Sequence, residues 1–284
     1  MKVLLIGRTG QVASEILRRA PEGVEVTAVG REVVDLTNPA ECAEVVLGAE
    51  VDAVVNAAAW TAVDKAETDE EVARVVNGEA PFAMALAAMR RGLPFVHIST
   101  DYVFDGMGME PFRPDSPVAP QNAYGRTKLL GEEGVMSAGG PHVILRTSWV
   151  FSAFGANFVK TMLRLGREKA EINVVDDQVG GPTPAADIAD ACLIVARALR
   201  DGAEGGTHHL SGAPAVSWAG FARAVMEEAW LECRVNPIPT SAYPTAAKRP
   251  LNSRMDGSSL ERAFGIGQPD WRAGLRDVVR ELGA

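Results

Sequence analysis

The chain has 284 residues, of which 47% are apolar and 23% are charged, and these are ordinary values for a folded protein. Its 37 acidic and 28 basic side chains give a net charge of −9, which disfavours nucleic-acid backbones and anionic membranes as partners. No stretch stays apolar for the roughly 18 residues that a membrane helix needs, and the length predicts one large domain or two closely associated ones.

Three cysteines, Cys42, Cys192 and Cys233, lie far apart in the sequence and form no C-x-x-C pair. This spacing indicates neither a disulfide framework nor a zinc site, so we expect reduced and mostly buried thiols. The apolar run at 3–6 ends at Gly7 and is too short for a signal peptide. A cytoplasmic location is therefore expected.

Short apolar runs alternate with helical segments through the first half of the chain. Strands are predicted at 3–6, 24–29, 51–58, 95–98 and 143–145. Helices are predicted at 14–19, 39–48 and 122–137, with a long helical region over 68–91 that is interrupted near Gly78 and Pro81. Apolar runs of this length are typical of strands buried on both faces. Their alternation with helices predicts a doubly wound parallel sheet, a Rossmann-like α/β fold.

The alternation weakens from about residue 149 onward. The segments that follow include a Gly/Pro-rich loop at 180–184, a strong helix at 187–200 and a stretch with several prolines at 238–258. We predict a dinucleotide-binding domain over 1–148 and a smaller, mainly substrate-binding lobe over 149–284, with the segment around 182–210 rejoining the first domain. The lobe is expected to close over the carboxyl edge of the sheet, where open α/β sheets bind ligands.

Glycines between the first strand and the first helix predict a phosphate-binding turn. The spacing is G-x-x-G-x-x-A, with Gly7 and Gly10 as its glycines and Ala13 as the small residue where helix meets strand. Glycines permit a tight turn and a close backbone approach to a pyrophosphate, which the helix N-terminus attracts. An ordinary glycine turn is the alternative, but the position directly after the first strand favours dinucleotide binding.

Tyr124 and Lys128 are four residues apart in a predicted helix, so their side chains share one face. An ammonium group stabilises a phenolate, and lowering the pKa of tyrosine by about 3 units takes roughly 4 kcal/mol. The pair alone is a weak signal, because any helix can carry both residues on a solvated face. Thr100 ends a buried strand at the same sheet edge and could hold a substrate carbonyl, or could simply end the strand while Asp101 caps a turn.

Several stretches resemble the extended short-chain dehydrogenase/reductase family, and within it the dTDP-4-dehydrorhamnose reductases. The matches run nearly end to end, through residues 7–13, 56–64, 99–106, 124–128, 146–151 and 249–254. The Tyr/Lys pair points only to the superfamily. The branch that reduces 4-keto sugars is indicated by Ser-Thr-Asp-Tyr-Val-Phe-Asp-Gly at 99–106, Arg-Thr-Ser-Trp at 146–149 and Arg-Pro-x-Asn-Ser at 249–253.

The resemblance implies a role for each matching residue. Tyr124 would donate the proton, Lys128 would tune it and hold the nicotinamide ribose, and Thr100 would polarise the keto group. The implied cofactor contacts are Gly10, Gln11 and Val12 at the pyrophosphate, Ala59, Trp60 and Thr61 in the adjoining wall, and Asp35 and Leu36 beside the adenine. The implied sugar contacts are Thr100, Asp101 and Trp149, although Trp149 in the core is the alternative.

The end of the second predicted strand bears on the choice of cofactor. Acidic residues at this position bind the ribose 2′-hydroxyl of NADH, whereas an arginine accommodates the 2′-phosphate of NADPH. Here Arg31 follows the strand and no carboxylate occurs before Glu32, while Arg8 of the glycine turn could reach the same phosphate. NADPH is the expected cofactor and NADH the alternative. The preference for NADPH would lose its support if both arginines were simply solvated or if Glu32 neutralised Arg31.

The resemblance implies an NAD(P)H-dependent reductase that converts dTDP-4-dehydro-L-rhamnose to dTDP-L-rhamnose. The alternatives are a reductase or epimerase of another nucleotide sugar, and a regulatory subunit like the β subunit of methionine adenosyltransferase. Some relatives hold a magnesium ion between subunits, which makes Mg²⁺ and a homodimer candidates here, but the sequence assigns no residue to the ion. His97, His208 and His209 are expected to be structural rather than metal ligands.

Overall fold

A computed structural model describes residues 1–284. Its strands are β1 Lys2–Ile6, β2 Glu25–Val29, β3 Ala53–Asn56, β4 Phe95–Thr100, β5 His142–Thr147, β6 Val150–Phe151, β7 Glu171–Val175, β8 Val179–Gly180, β9 Thr183–Pro184, β10 Gly206–His209, β11 Val216–Ser217, β12 Arg234–Ile238 and β13 Asn252–Ser253. Its α-helices are α1 Gln11–Arg19, α2 Pro39–Gly48, α3 Val63–Ala66, α4 Glu70–Arg74, α5 Ala80–Arg90, α6 Ala123–Ala138, α7 Phe158–Glu168, α8 Ala185–Arg200, α9 Trp218–Glu228, α10 Ser258–Phe264 and α11 Trp271–Glu281. A π-helical segment covers Val75–Glu79, and 3₁₀ turns cover Asp101–Val103 and Thr240–Ala242.

The centre of the molecule is a six-stranded sheet in the order β10-β5-β4-β3-β1-β2, in which every neighbouring pair is parallel. Helices α1 and α8 bury apolar side chains against one face, and α2, α5 and α6 cover the other. The predicted doubly wound parallel sheet is therefore confirmed. The strand order reverses between β1 and β3, and ligands bind in the crevice beyond the carboxyl ends of such sheets.

The C-terminal part has a hydrophobic core of its own. Helices α7, α9 and α11 pack together with the paired strands β7 and β12 around aromatic side chains. Strand β10 and helix α8 instead belong to the central sheet and its first core, although they come later in the chain than residue 149. The polypeptide thus returns to the sheet after it has started the second core.

Three local predictions about element boundaries are wrong. Helix α1 begins at Gln11 rather than residue 14, because the glycine turn runs directly into it. Strand β3 covers only Ala53–Asn56 of the predicted 51–58, since the chain leaves the sheet at the edge of the crevice. Residues 180–184 are not wholly a loop, because two-residue strands begin and end there: β8 pairs with β11, and β9 pairs with β6.

The predicted interruption of the 68–91 helical region takes the form of a π-helical segment at Val75–Glu79, through which the chain continues as helix into α5. Pro81 is tolerated because it lies in the first turn of α5, directly after the π-helical segment has already changed the i→i−4 bonding pattern. Gly78 serves packing rather than helix termination, because a Cβ atom there would lie 2.6 Å from Leu130 Cδ2 on α6.

Two whole-chain properties follow from the structure. All three cysteines are buried and unpaired, as expected from their spacing. None of the helices combines the length and the apolar character that crossing a bilayer requires.

A buried ion pair joins helix α6 to strand β5. The guanidinium of Arg146 binds the Glu132 carboxylate at 2.6 Å, and the two side chains are only 5% and 0% exposed. Ser99 on β4 donates a further hydrogen bond to Glu132, and Arg146 also lies over the ring of Phe104. A pair this deep costs much desolvation, so it requires all of its partners.

We expect Arg146→Met to lower the free energy of unfolding by roughly 3–5 kcal/mol, because it leaves the Glu132 carboxylate buried without its cation. The matched control is Arg126→Met, which breaks an exposed pair with Glu70 and should cost within about 1 kcal/mol. Urea denaturation of both variants measures the difference. Equal losses would mean that the buried pair does not anchor α6.

Candidate active site

A cleft of about 540 Å³ lies at the carboxyl ends of the central strands. It brings together ten of the residues singled out in the sequence: Gly10, Gln11, Val12, Ala59, Thr61, Thr100, Asp101, Tyr124, Lys128 and Trp149. The lining also contains residues that the sequence did not single out: Thr9, Ala57, Ala58, Val63, Ile98, Ser99, Tyr102, Thr147, Ser148, Val150, Gly155 and Ala156. Most of these are neighbours of predicted residues at strand ends, so their place depends on where each strand stops.

Five residues singled out in the sequence lie outside the lining of the cleft: Gly7, Arg31, Asp35, Leu36 and Trp60. Trp60 turns away from the cleft, donates its indole N–H to the Ala62 carbonyl and lies 5.3 Å from the Lys65 ammonium. Asp35 and Arg31 are exposed near the end of β2, where hydrogen bonds from Thr37 and, to a smaller extent, the charge of Arg31 lower the pKa of Asp35.

The glycine turn leaves an open helix N-terminus at the cleft. Gly7 has a φ of +109°, and a Cβ atom there would lie 3.3 Å from the Ala57 and Ala58 backbone, so a larger residue would strain this close approach. Gly10 precedes α1 and provides no side-chain cap, and the space around its Cα is open. The first N–H groups of α1 are therefore available to an anion such as a phosphate.

Beside the turn, the two arginines near the end of β2 have different surroundings. Arg8 binds Glu32 at 3.0 Å on the surface, whereas no ion pair holds Arg31. The alternative in which Glu32 neutralises Arg31 is therefore wrong, because the carboxylate turns toward Arg8.

Helix α6 places Tyr124 and Lys128 by unusually close packing. Its N-cap Asn122 accepts a hydrogen bond from Gly125 N–H at 2.8 Å. A Cβ atom on Gly125 would clash with the Tyr102 carbonyl, and one on Gly131 would clash with the Asn77 carbonyl. These glycines let the helix approach the 3₁₀ turn and the π-helical segment closely enough to present both side chains to the cleft.

Asn77 is a buried residue that the sequence reasoning missed. Its amide accepts from Trp60 N–H at 2.8 Å and donates to the Trp60 carbonyl and to Thr127 Oγ1, both at 3.1 Å. It thereby joins the wall at 59–61 to helix α6. A signal for it was available only as an asparagine inside a helical pattern, where the residue type is unfavourable.

Burial dominates the electrostatics of Tyr124. Desolvation raises its pKa above the ordinary value, the nearby Thr100 hydroxyl lowers the pKa in part, and Asp101 raises it further. Lys128 is not among the groups that shift it. Thr100 Oγ1 donates to Asp101 Oδ1 at 3.1 Å and accepts from Tyr102 N–H at 3.2 Å, which fixes its side chain beside the phenol.

Lys128 is 2% exposed and points back toward strand β4. Its Nζ donates to the Ile98 carbonyl at 2.7 Å and lies 3.3 Å from His97 Nε2. Desolvation lowers the pKa of Lys128 to about 8, although the charge of Glu132 opposes that shift.

Asp101 is a second buried acid of the site. It is 3% exposed, and its Oδ2 atom has no hydrogen-bond partner. Desolvation raises the pKa of Asp101 to about 6, and the neighbouring hydroxyl groups of Ser253 and Thr100 limit the shift. A ligand hydroxyl could satisfy the unpartnered oxygen.

Trp149 forms part of the wall of the cleft. Its φ of 49° is rare for a non-glycine residue, and strain of this kind often marks a functional position. The indole stacks on Trp218 with ring centroids 3.6 Å apart and planes 9° apart. Gly180 leaves room for this stack, because a Cβ atom there would lie 3.0 Å from Trp149 Cε2.

A larger cavity of about 840 Å³ adjoins the cleft and shares Val63 and Tyr102 with it. Its lining includes aromatic and cationic side chains, among them Phe158, Trp218, Tyr243, Lys169 and Arg249. Arg249 binds Asp64 at 2.6 Å, while its Nη1 atom is buried and has no partner.

The chain offers no evident metal centre. No group of three or more His, Cys, Asp or Glu side chains is arranged to hold a metal ion. His97 and His209 are buried, and their pKa values are lowered chiefly by desolvation. The donor groups of this chain alone therefore do not fit the Mg²⁺ that the resemblance had made a candidate.

Known proteins resemble this chain in both sequence and fold. The whole chain, residues 1–284, matches the family model described as the RmlD substrate binding domain. The dTDP-4-dehydrorhamnose reductase of Burkholderia thailandensis is 45% identical over 296 residues, which cover 99% of each chain. A crystal structure of a dTDP-4-dehydrorhamnose reductase from Clostridium acetobutylicum has a TM-score of 0.94 and 36% identity, with 100% of both chains covered. The dTDP-4-dehydrorhamnose reductase of Bacillus anthracis, solved in complex with NADP, has a TM-score of 0.93 and 33% identity, with 99% of both chains covered.

The buried Asp101 predicts a pH-dependent stability. Its folded-state pKa of about 6 exceeds the ordinary 3.8, so the folded protein binds the proton more tightly than the unfolded chain. The contribution is complete below pH 3.8 and is lost as the pH rises through 6. Between about pH 7.5 and about pH 5, this one group should add about 1.4 kcal/mol to the free energy of unfolding.

Asp101→Asn removes that contribution, so the stability of the wild type relative to the variant should rise by this amount on acidification. Urea denaturation at both pH values measures it, and Asp115→Asn, which alters an exposed carboxylate, is the matched control. A difference between wild type and Asp101→Asn that does not change with pH would contradict the assignment.

Proposed function

The chain belongs to the RmlD substrate binding domain family, and from that membership we propose that it is an NAD(P)H-dependent oxidoreductase. It reduces the 4-keto group of dTDP-4-dehydro-L-rhamnose and so completes dTDP-L-rhamnose. The observation that carries the proposal is the convergence of Tyr124, Lys128 and Thr100 on one cleft beside an open helix N-terminus. Reduction of another nucleotide sugar, epimerisation and a purely regulatory role are not favoured, because the proton-transfer set is complete and the similar proteins are reductases of this sugar.

Tyr124 is the proton donor in this proposal. Its raised pKa keeps the phenol protonated across the neutral range, so a proton is available when the substrate oxygen acquires negative charge. Thr100 lies beside the phenol, and its hydroxyl turns from Asp101 to donate to the same keto oxygen when the substrate binds. We assign the ammonium of Lys128 to the nicotinamide ribose, because it does not shift the pKa of Tyr124.

The residues at the glycine turn fit a dinucleotide. Gly10, Gln11 and Val12 present the first N–H groups of α1 to the pyrophosphate, while Ala59 and Thr61 form the adjoining wall. NADPH, when bound, supplies the hydride that adds to the sugar C4. In the same proposal Gly7 shapes the turn, Trp60 supports the wall from outside, and Asp35 and Leu36 lie toward the adenine.

The adjoining cavity is where we place the nucleotide of the substrate. Aromatic side chains such as Phe158 and Tyr243 offer faces for a base, and the unpartnered Nη1 of Arg249 offers a donor to a phosphate. Trp149 and Asp101 line the cleft together with Tyr124, where we place the sugar.

The division of labour follows the two hydrophobic cores. We assign cofactor binding to residues 1–148, together with the returning segment around 182–210, and substrate binding mainly to the remainder of 149–284. Limited proteolysis with and without NADPH tests this division, because the cofactor should protect the first unit more strongly than the second.

Two further parts of the proposal concern the cell. Three free thiols support a reducing compartment, the cytoplasm, which cell fractionation tests. Exposed apolar side chains on α5 and α6 (Phe82, Leu130 and Met136) support a homodimer, which light scattering distinguishes from a monomer.

Tyr124→Phe should lower turnover roughly 10²–10⁴-fold, because it removes the proton donor and keeps the ring. The assay follows the loss of NADPH absorbance on addition of dTDP-4-dehydro-L-rhamnose. NADPH affinity, measured by fluorescence titration, should barely change and serves as the control. Turnover within a factor of about three of the wild type would contradict the proposed role.

Arg31→Asp should lower kcat/KM for NADPH about 10-fold more than for NADH, because it replaces a charged partner of the 2′-phosphate. Glu32→Gln is the matched variant, since it frees Arg8 from its ion pair and should favour NADPH instead. Equal effects on both cofactors, or a wild type that prefers NADH, would contradict an arginine site for the phosphate.

A further inference from the structure

A chain of hydrogen-bonding groups runs behind Lys128, on the side away from the cleft. Ala58 N–H donates to Asn56 Oδ1 at 3.1 Å, and Asn56 Nδ2 lies 3.1 Å from His97 Nδ1. His97 Nε2 lies 3.3 Å from Lys128 Nζ, which donates to the Ile98 carbonyl at 2.7 Å. The three side chains in this series are almost completely buried.

The direction of these hydrogen bonds is fixed at the end formed by Ala58. A backbone N–H can only donate, so the atom of Asn56 that faces it must be the amide oxygen. The amide nitrogen of Asn56 then faces His97. The reverse orientation would bring two donors together at Ala58 and leave a buried N–H without an acceptor.

This orientation of Asn56 determines the tautomer of His97. Because Asn56 Nδ2 donates, His97 Nδ1 must accept, and the single proton of the neutral imidazole is then on Nε2. Desolvation holds the pKa of His97 well below its ordinary value, with the charge of Lys128 acting in the same direction, so the ring is neutral. His97 therefore presents an N–H group to Lys128.

An N–H group facing Lys128 discriminates between the two protonation states of that residue. A neutral amine has a lone pair that accepts from His97 Nε2–H and still donates to Ile98. An ammonium has no lone pair, so its contact with His97 becomes one between two donors. The geometry therefore favours the neutral amine form of Lys128, whereas the proposed reaction requires the ammonium form.

We propose that His97, held as the Nε2–H tautomer by Asn56, is a positioning residue that opposes the ammonium form of Lys128 and sets the pH at which that charge is lost. The sequence pattern had suggested only a structural histidine here.

The other ionisable groups around Lys128 do not account for this effect. Glu132, on the same helix, favours the ammonium but is already paired with Arg146 of β5. Tyr124, Tyr102 and Asp101 line the cleft on the opposite side. The charged groups of α4 and of the π-helical segment pair with one another or with Arg126 near the surface: Glu70, Glu71, Arg74 and Glu79. His97 of β4 is the ionisable side chain that directly contacts Lys128 Nζ.

The consequence for turnover depends on the proposed reductase function. If the Lys128 ammonium holds the nicotinamide ribose, activity should fall as that charge is lost at alkaline pH. The titration of Lys128 itself does not depend on that function and can be followed in the free protein.

The first measurement needs no variant. Imidazole ¹⁵N chemical shifts distinguish the two neutral tautomers, and the chain has only four histidines to assign. His97 should have the shifts of a protonated Nε2 and an unprotonated Nδ1 between about pH 7 and about pH 9. A protonated Nδ1 would overturn the proposal.

Two variants reverse the chain of hydrogen bonds. Asn56→Asp keeps the acceptor for Ala58 and places a second acceptor at Nδ1, so the proton moves there and Nε2 becomes an acceptor for the ammonium. His97→Gln can turn its amide oxygen toward Lys128. Both should raise the pKa of Lys128 by about one unit or more, followed by ¹³Cε shifts of the six lysines.

Matched substitutions at other sites control for the change of residue type. Asn236→Asp alters an exposed amide, and His208→Gln alters an imidazole bonded to Ser259, both remote from Lys128. Neither should move the Lys128 titration. The alkaline limb of kcat/KM should shift upward in Asn56→Asp and His97→Gln by the same amount as the pKa.

Each outcome has a defined meaning. An unshifted Lys128 titration in folded Asn56→Asp and His97→Gln overturns the proposal, even if the protein is a reductase. A shifted titration without any change in the pH profile supports the hydrogen-bond chain and counts against the role of the Lys128 charge in turnover. The tautomer measurement on the wild type decides the case if neither variant folds.

Discussion

The position of helix α6 against the central sheet depends on the buried pair of Glu132 and Arg146. The carboxylate lies one turn beyond Lys128, and its hydrogen bond from Ser99 ties the helix to the strand that ends in Thr100. One interaction thus sets the distance between the helix and the strand that carry the proposed proton-transfer residues. Isolated buried pairs are weak sources of net stability, so this one is better explained by the arrangement it specifies.

Desolvation acts on every acid and base of the site in the same direction, toward the neutral form. It raises the pKa of Tyr124 and Asp101 and lowers that of Lys128. The side chains of the cleft therefore carry less charge than their residue types imply. A bound polar ligand changes this balance, because its hydroxyl and phosphate groups supply the hydrogen bonds that Asp101 Oδ2 and Arg249 Nη1 lack. Charge at the site is in this sense coupled to occupancy.

The sequence was sufficient for the sheet, the glycine turn and the pair Tyr124/Lys128, because each depends on local periodicity or spacing. It was insufficient where a contact between residues that are distant in the sequence determines the structure. Asn77 inside a helical pattern gave no indication that its amide would hold residue 60, and His97 could not be linked to Lys128 before the register of β4 against α6 was known. Glu32 also forms its ion pair with Arg8 of the glycine turn rather than with its sequence neighbour Arg31.

The two parts of the chain meet at Gln11, a residue of the glycine turn. Its amide donates to the Val150 carbonyl at 3.3 Å and accepts from Asn157 Nδ2 at 3.0 Å. Val150 directly follows Trp149, whose strained backbone turns the indole onto Trp218 in the second core. Gln11 therefore connects the turn proposed to hold the pyrophosphate with the segment of Trp149, which is proposed to contact the sugar. These contacts join the two positions within the fold itself.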